Sequence, residues 1–261
     1  MIGIFDSGVG GMTVARAVEQ LLPHFPLTYL GDIARTPYGT KSARTIIDYS
    51  IENTRFLLDQ GAKLIIIACN TASSVATDRL RREFDIPIIE VISPAVEQAL
   101  LQSRKGRIGV IGTRATIRSG VYETMILAQQ PKHKVFSSAC PLLVPLVEEG
   151  WIAKRETKMI LRRYLHPLKD QQIDTLVLGC THYPLLKHLI QPRIGRKVTL
   201  IDSSVAVAEY LQHYLEDHAV LIPDGNHIPT GNRYFVTDLT ESAQFIAAKI
   251  FNRPINLQPI Q

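Results

Sequence analysis

Two cysteines stand where a thiol can do acid–base work. Cys69 follows the apolar run 64–68, and Cys180 follows the run 176–178 after a single glycine. Each is succeeded by polar residues, Asn70-Thr71 and Thr181-His182, instead of more core. A buried cysteine ordinarily packs as a small hydrophobe. A thiol at the tip of a buried strand, beside the N-terminus of the next helix, instead meets free N–H groups and a dipole that favour the thiolate. Two such thiols facing each other across one cleft suit a two-base reaction, in which one removes a proton and the other delivers one. Cys140, in Ala139-Cys140-Pro141, lacks polar followers and reads as structural. Three cysteines without a CxxC pair make no disulfide framework.

Other groups could assist. The segment Asp6-Ser7-Gly8-Val9-Gly10-Gly11 has the glycines of an anion cradle but neither the G-x-G-x-x-G spacing nor the Lys-Ser/Thr ending of a P-loop. Its backbone N–H groups suit a phosphate or a carboxylate. Asp6 reads either as the cap of its own turn or as a carboxylate that orients or deprotonates a nearby thiol. His182, two residues after Cys180, has an intrinsic pKa suited to acid–base partnership. A Cys-x-His pair also opens some zinc sites, but those need three or four ligands at suitable spacing, and neither CxxC nor HExxH accompanies it. No metal is expected. Glu148 and Glu149 close the run 142–147 and read either as helpers or as a solvated helix end.

Positioning these groups requires strands that end at one edge. Short unbroken apolar runs at 2–5, 27–30, 64–68, 88–92, 108–111, 134–138, 176–178, 198–201 and 234–236 predict strands covered on both faces. Amphipathic stretches at 13–22, 43–60, 72–84, 153–168, 205–215 and 241–250 predict helices between them. That alternation is the mark of an α/β protein with a mainly parallel sheet, in which ligands bind at the C-terminal strand edge. The chain also echoes itself: Gly3 corresponds to Gly109 and Cys69 to Cys180, with a tight crossing at Ile92-Ser93-Pro94. At 261 residues the chain can bury a full core without a staple. Its charge, 29 basic against 24 acidic residues with no run of five or more Lys or Arg, argues against nucleic acid as a partner. No apolar stretch reaches the roughly 18 residues of a span, and Met1-Ile-Gly-Ile-Phe5 lacks a basic leader. A cytoplasmic protein without a membrane partner is expected.

Taken together, seven segments resemble the glutamate racemases of the aspartate/glutamate racemase superfamily. They are Gly3-Ile-Phe-Asp-Ser-Gly-Val-Gly-Gly11, Gly31-Asp-Ile-Ala-Arg-Thr-Pro-Tyr-Gly39, Ala68-Cys-Asn-Thr-Ala72, Gly109-Val-Ile-Gly-Thr-Arg-Ala-Thr116, the stretch 139–150, Leu178-Gly-Cys-Thr-His-Tyr-Pro184 and Asp202-Ser-Ser204. They occur in family order. The resemblance implies two pseudo-symmetric α/β domains, each a mainly parallel sheet flanked by helices, with the active site in the cleft between them. The first would comprise residues 1–93 plus 205–261 and carry Cys69; the second would comprise 94–204 and carry Cys180. The implied reaction is cofactor-independent interconversion of L- and D-glutamate, supplying D-glutamate for peptidoglycan. Cys69 and Cys180 match the two facing thiols, Asp6 the carboxylate beside the first, His182 the partner of the second, and Glu148 a further acid on that side. Substrate would be held by Asp6, Ser7, Tyr38, Gly39, Asn70, Thr71, Thr113, Thr116, Thr181 and His182. A homodimer is implied as well. The rival readings are an aspartate racemase on the same scaffold and a non-catalytic protein that binds a phosphate or nucleotide at the turn 6–11.

Overall fold

The computed structural model of the protein describes residues 1–218 and 231–260. Strand β1 (Ile2–Asp6) leads through α1 (Met12–Leu21), β2 (Leu27–Gly31), α2 (Ala43–Asp59), β3 (Leu64–Ile67) and α3 (Asn70–Glu83) to β4 (Ile88–Glu90). Then come α4 (Ile92–Gln102), β5 (Arg107–Gly112), α5 (Arg114–Ser119), α6 (Val121–Gln129), β6 (Lys134–Ala139) and α7 (Leu143–Glu148). The chain continues through α8 (Arg155–Asp170), β7 (Thr175–Gly179), α9 (Lys187–Ile194), β8 (Thr199–Asp202) and α10 (Ser203–Asp217). The last described elements are β9 (Arg233–Val236), α11 (Glu241–Phe251) and β10 (Leu257–Pro259).

Among the described residues ten strands form two sheets, both parallel throughout. The first has the order β10-β9-β2-β1-β3-β4 and the second β6-β5-β7-β8. The run β2-β1-β3-β4 has the same order as β6-β5-β7-β8, so the echo in the sequence is a repeat of topology. Gly3 pairs with Ile65 and Gly109 with Leu176, and a Cβ on either glycine would strike that neighbour's side chain, at 2.8 and 3.1 Å. The two glycines do one job in two places. They let the adjoining strand's aliphatic side chain lie flat over the central strand.

Alternation along the strands divides each core into two layers. Ile2, Ile4, Tyr29 and Ile66 pack toward α1, α10 and α11, while Phe5, Leu30, Ile65 and Ile67 pack toward α2 and α3. In the second sheet Ile111, Leu176 and Leu178 face α7, α8 and α9, whereas Ile108, Val110 and Val177 face α4 and α6. Helix α10 packs against both α1 and α4, tying the two sheets together.

Strands β1, β2, β3 and β7 are buried along their whole length, as their unbroken apolar runs predict. The expected double cover fails at β6, an edge strand that is only partly buried. The run 88–92 also divides differently from expectation: the strand stops at Glu90 and Ile92 opens α4. Glu90 ends the strand because its carboxylate accepts the backbone N–H groups of Ile92 and Ser93, the latter at 2.9 Å, and so caps the helix. Helices α4, α5, α6 and α9 and strand β10 match no expected element, while of α7 the adjacent acids indicate only the end, at Glu148. Two of these helices have only six residues, and α4 hides its period inside an apolar run.

Candidate active site

Most candidate groups lie at or just beyond the C-terminal ends of β1, β3, β5 and β7, with Tyr38 and Gly39 following β2 and Glu148 ending α7. Strands β1 and β5 are flanked by neighbours reached in opposite directions, the switch point at which open parallel sheets bind ligands. Ser7, Tyr38, Gly39, Cys69, Asn70, Thr71, Thr113, Cys180, Thr181 and His182 line one cavity there, with Thr36, Pro37 and Val144. Its volume of about 30 Å³ leaves room for about two waters.

Cys69 is the N-cap of α3, and its thiol donates to the Ser7 hydroxyl at 3.4 Å. At Cys69 the helix N-terminus, which by itself favours the thiolate, is outweighed. Burial, reinforced by the charge of Asp6, pushes this thiol up to about 12 despite the Ser7 hydroxyl and the Ala72 N–H. No α-helix begins directly after Cys180, because a single tight turn, Tyr183–Leu186, comes first. Its neighbour is His182, whose Nδ1 lies 3.9 Å from the Cys180 sulfur and whose Nε2 lies 3.2 Å from Glu148 Oε1. Burial opposes a charged His182, but Cys180 and Glu148 together outweigh it and hold the imidazolium up to about 10. Of the two acids, Glu148 touches His182, while Glu149 is exposed.

Asp6 is fully buried and does not reach the cavity wall. Its Oδ2 accepts the N–H groups of Gly8 and Gly11 at 3.0 Å each, and its Oδ1 accepts the Thr181 hydroxyl at 3.4 Å. Burial pushes the carboxyl up, against the opposing effects of His182 and those three donors. The glycine-rich turn therefore already holds a carboxyl of its own, and two of the N–H groups that a phosphate would use are taken. Its glycines serve packing. A Cβ on Gly10 would lie 2.4 Å from His182 Nδ1, and one on Gly11 would lie 2.3 Å from Asp6 Cβ.

The remaining candidates come together with two departures. Thr71, Thr113 and Thr116 form a triangle of hydroxyls at 2.9 to 3.3 Å, but Thr116 is buried behind the other two and off the wall. Tyr38 contributes its ring to the wall, while its hydroxyl turns away to Asp32 and receives the Asn53 amide at 3.1 Å. Asn70 is fixed from the second sheet's side, accepting the Tyr122 hydroxyl at 2.6 Å and donating to Ser203 at 3.4 Å. Sequence reasoning passed over Tyr122, which no motif marks. It noted Ser203 and the turn holding Thr36 and Pro37 without giving them a part. Cys140 is fully buried and off the cavity wall. Among the described residues no three His, Cys, Asp or Glu side chains converge as metal ligands, and no helix is long and apolar enough to cross a membrane.

Known proteins share this arrangement. Residues 12–211 match the Asp/Glu/Hydantoin racemase family model. The chain is 46% identical to a glutamate racemase of Persephonella marina, covering 100% of this chain and 96% of that protein. It is 45% identical to the glutamate racemase of Aquifex pyrophilus, covering 98% and 96%. It superposes on a glutamate racemase isoform of Bacillus anthracis with a TM-score of 0.94 at 36% identity, covering 100% and 97%. The glutamate racemase of Francisella tularensis, solved in complex with D-glutamate, superposes with a TM-score of 0.90 at 36% identity, covering 100% and 97%. With relatives this similar over nearly its whole length, the chain belongs to the Asp/Glu/Hydantoin racemase family and, within it, to the glutamate racemases.

Proposed function

We propose that this protein interconverts L- and D-glutamate by proton transfer at the α-carbon, with Cys69 and Cys180 as the two acid–base groups. The observation that carries this reading is the meeting of two thiols, each from the equivalent strand end of a repeated sheet, on one cavity. A thiolate on one side takes the α-proton, its electron pair passing into the α-carbon and its carboxylate. The thiol on the other side gives a proton to the opposite face, and the configuration inverts. The next turnover in the same direction requires the two sulfurs to exchange protonation states again through solvent or product.

Each sulfur has its own support. Cys69, held as the thiol, is poised to donate, with Ser7 as its hydrogen-bond partner. At Cys180, an imidazolium 3.9 Å away offsets the charge of a thiolate formed there, and Glu148 keeps that imidazole charged. Asp6 acts from behind the wall, fixing the turn 6–11 and the Thr181 hydroxyl. Among the described residues no lysine or arginine lines the cavity. The substrate's carboxylates would be met by the hydroxyls of Ser7, Thr71, Thr113 and Thr181, the Asn70 amide and the free N–H groups opening α3. Such fixed donors in a nearly dry cleft stabilise the charge that develops on the α-carboxylate.

Residues 1–93 with 205–261 and residues 94–204 are proposed as the two units that carry these thiols, in keeping with the two sheets. A cytoplasmic homodimer supplying D-glutamate for peptidoglycan is the setting that the family resemblance implies. Polarimetry tests the activity: L-glutamate should lose its rotation completely, without added metal or cofactor. Inversion of L-aspartate but not of L-glutamate would overturn the substrate assignment.

A further inference from the structure

In the turn that carries Cys180 and His182, successive carbonyls look three residues ahead for a donor. The Cys180 carbonyl accepts the Tyr183 N–H at 3.1 Å, and the His182 carbonyl accepts that of Leu185 at 3.2 Å. The carbonyl between them belongs to Thr181, and three residues ahead of it stands Pro184, which has no N–H. Thr181 is buried, where a carbonyl without a partner is costly. The donor comes from across the cleft. The Thr13 hydroxyl, at the start of α1, lies 3.2 Å from the Thr181 carbonyl and 2.9 Å from the carbonyl of Gly10.

Two more contacts from the same turn converge on this segment. Asp6 accepts the Thr181 hydroxyl at 3.4 Å. At Gly10 the missing side chain makes room for the catalytic segment, since a Cβ there would lie 2.4 Å from His182 Nδ1 and 2.6 Å from the Thr181 hydroxyl. Nδ1 is the nitrogen that faces the Cys180 sulfur. One turn of the first sheet's half thus grips the backbone, hydroxyl and ring of residues 181–182 in the second.

We infer that Thr13 and Gly10 are positioning residues for Cys180: Thr13 anchors the segment that Pro184 leaves short of a donor, and Gly10 lets the His182 ring rest against the sulfur. The inference rests on the two-thiol reading. It assigns these residues to the half-reaction at Cys180 and not to the one at Cys69.

The test uses α-deuterated L- and D-glutamate separately with the wild-type protein, Thr13→Val and Thr13→Ser. The enantiomers have equal free energy, so kcat/KM must fall by one factor in both directions; the discriminating readout is the primary deuterium isotope effect. For Thr13→Val, kcat/KM should fall by up to about 10²-fold, the scale of a small misplacement. The isotope effect should rise for the enantiomer that Cys180 deprotonates and fall for the other. Thr13→Ser, which restores the hydroxyl, should return both toward wild type. A folded Thr13→Val protein with both isotope effects unchanged, or changed in the same sense, overturns the inference. Should that variant not fold, Gly10→Ala deletes no hydrogen-bonding group but presses on the His182 ring and the Thr181 hydroxyl, and must show the same opposed shifts; their absence overturns it equally. Failure of the wild-type protein to exchange the α-deuterium of either enantiomer would instead overturn the two-thiol reading, so the two failures are distinguishable.

Discussion

Each sulfur is served by different neighbours, Ser7 for Cys69 and His182 with Glu148 for Cys180, and that difference has a pH signature. His182 titrates near 6.5 when unfolded and is held up to about 10 in the fold. Its proton therefore favours the folded state. The stability this contributes is complete below pH 6.5 and is lost as pH rises through 10. Activity that depends on the charged ring should fall along the same alkaline limb. Glu148→Gln removes one of the two groups holding the proton and should move that limb to lower pH in a kcat profile; an unmoved limb would detach Glu148 from His182. The cysteines were legible in the sequence because an apolar run that stops at Cys-Asn-Thr or Cys-Thr-His marks a strand end. The choice between Glu148 and Glu149 was not, because it depends on the rotation of a six-residue helix. Gly10 was visible as a glycine, but the side chain it makes room for lies far along the chain, at His182.

At the scale of elements, each of the nine apolar runs read as a strand contains one, and those buried on both faces, β1, β2, β3 and β7, carry the unbroken apolar signature most plainly. What escaped was set by single polar contacts or by short length. Helix α4 begins where it does because Glu90 accepts two of its first N–H groups and the Ser93 hydroxyl. Glu90→Ala should cost about 1–2 kcal/mol, the scale of a lost helix cap, read as a lower urea midpoint with an unchanged slope. Wild-type stability in that variant would contradict the capping account. The turn 6–11 looked like an anion cradle because glycines free the backbone for such a shape, but the sequence alone could not show that Asp6 fills it. Calorimetry with inorganic phosphate or a nucleotide should therefore show no binding at this turn. Heat that persists in Cys69→Ser would restore the rival reading of a phosphate-binding protein.

In the whole molecule, a repeated β-sheet presents equivalent strand ends to one another, and the proposed two-thiol reaction builds on that symmetry. The shared order of β2-β1-β3-β4 and β6-β5-β7-β8 makes Cys69 and Cys180 counterparts, and in the proposal their unlike neighbours let one sulfur give a proton as the other takes one. The cavity of about 30 Å³ is smaller than the proposed substrate, so a more open form is expected to admit it. Small-angle scattering should show compaction on addition of D-glutamate, and no change in radius of gyration would argue against such opening. The central claim is that both thiols are required, one on each face. Proton NMR of L- and D-glutamate in deuterated water, with wild-type protein and with Cys69→Ser and Cys180→Ser, tests it most directly. The wild-type protein should replace the α-proton of both enantiomers and yield a racemic mixture, and each serine variant should lose racemisation by roughly 10²–10⁴-fold, the contribution of one acid–base group. Racemisation that survives undiminished in either serine variant would contradict the account.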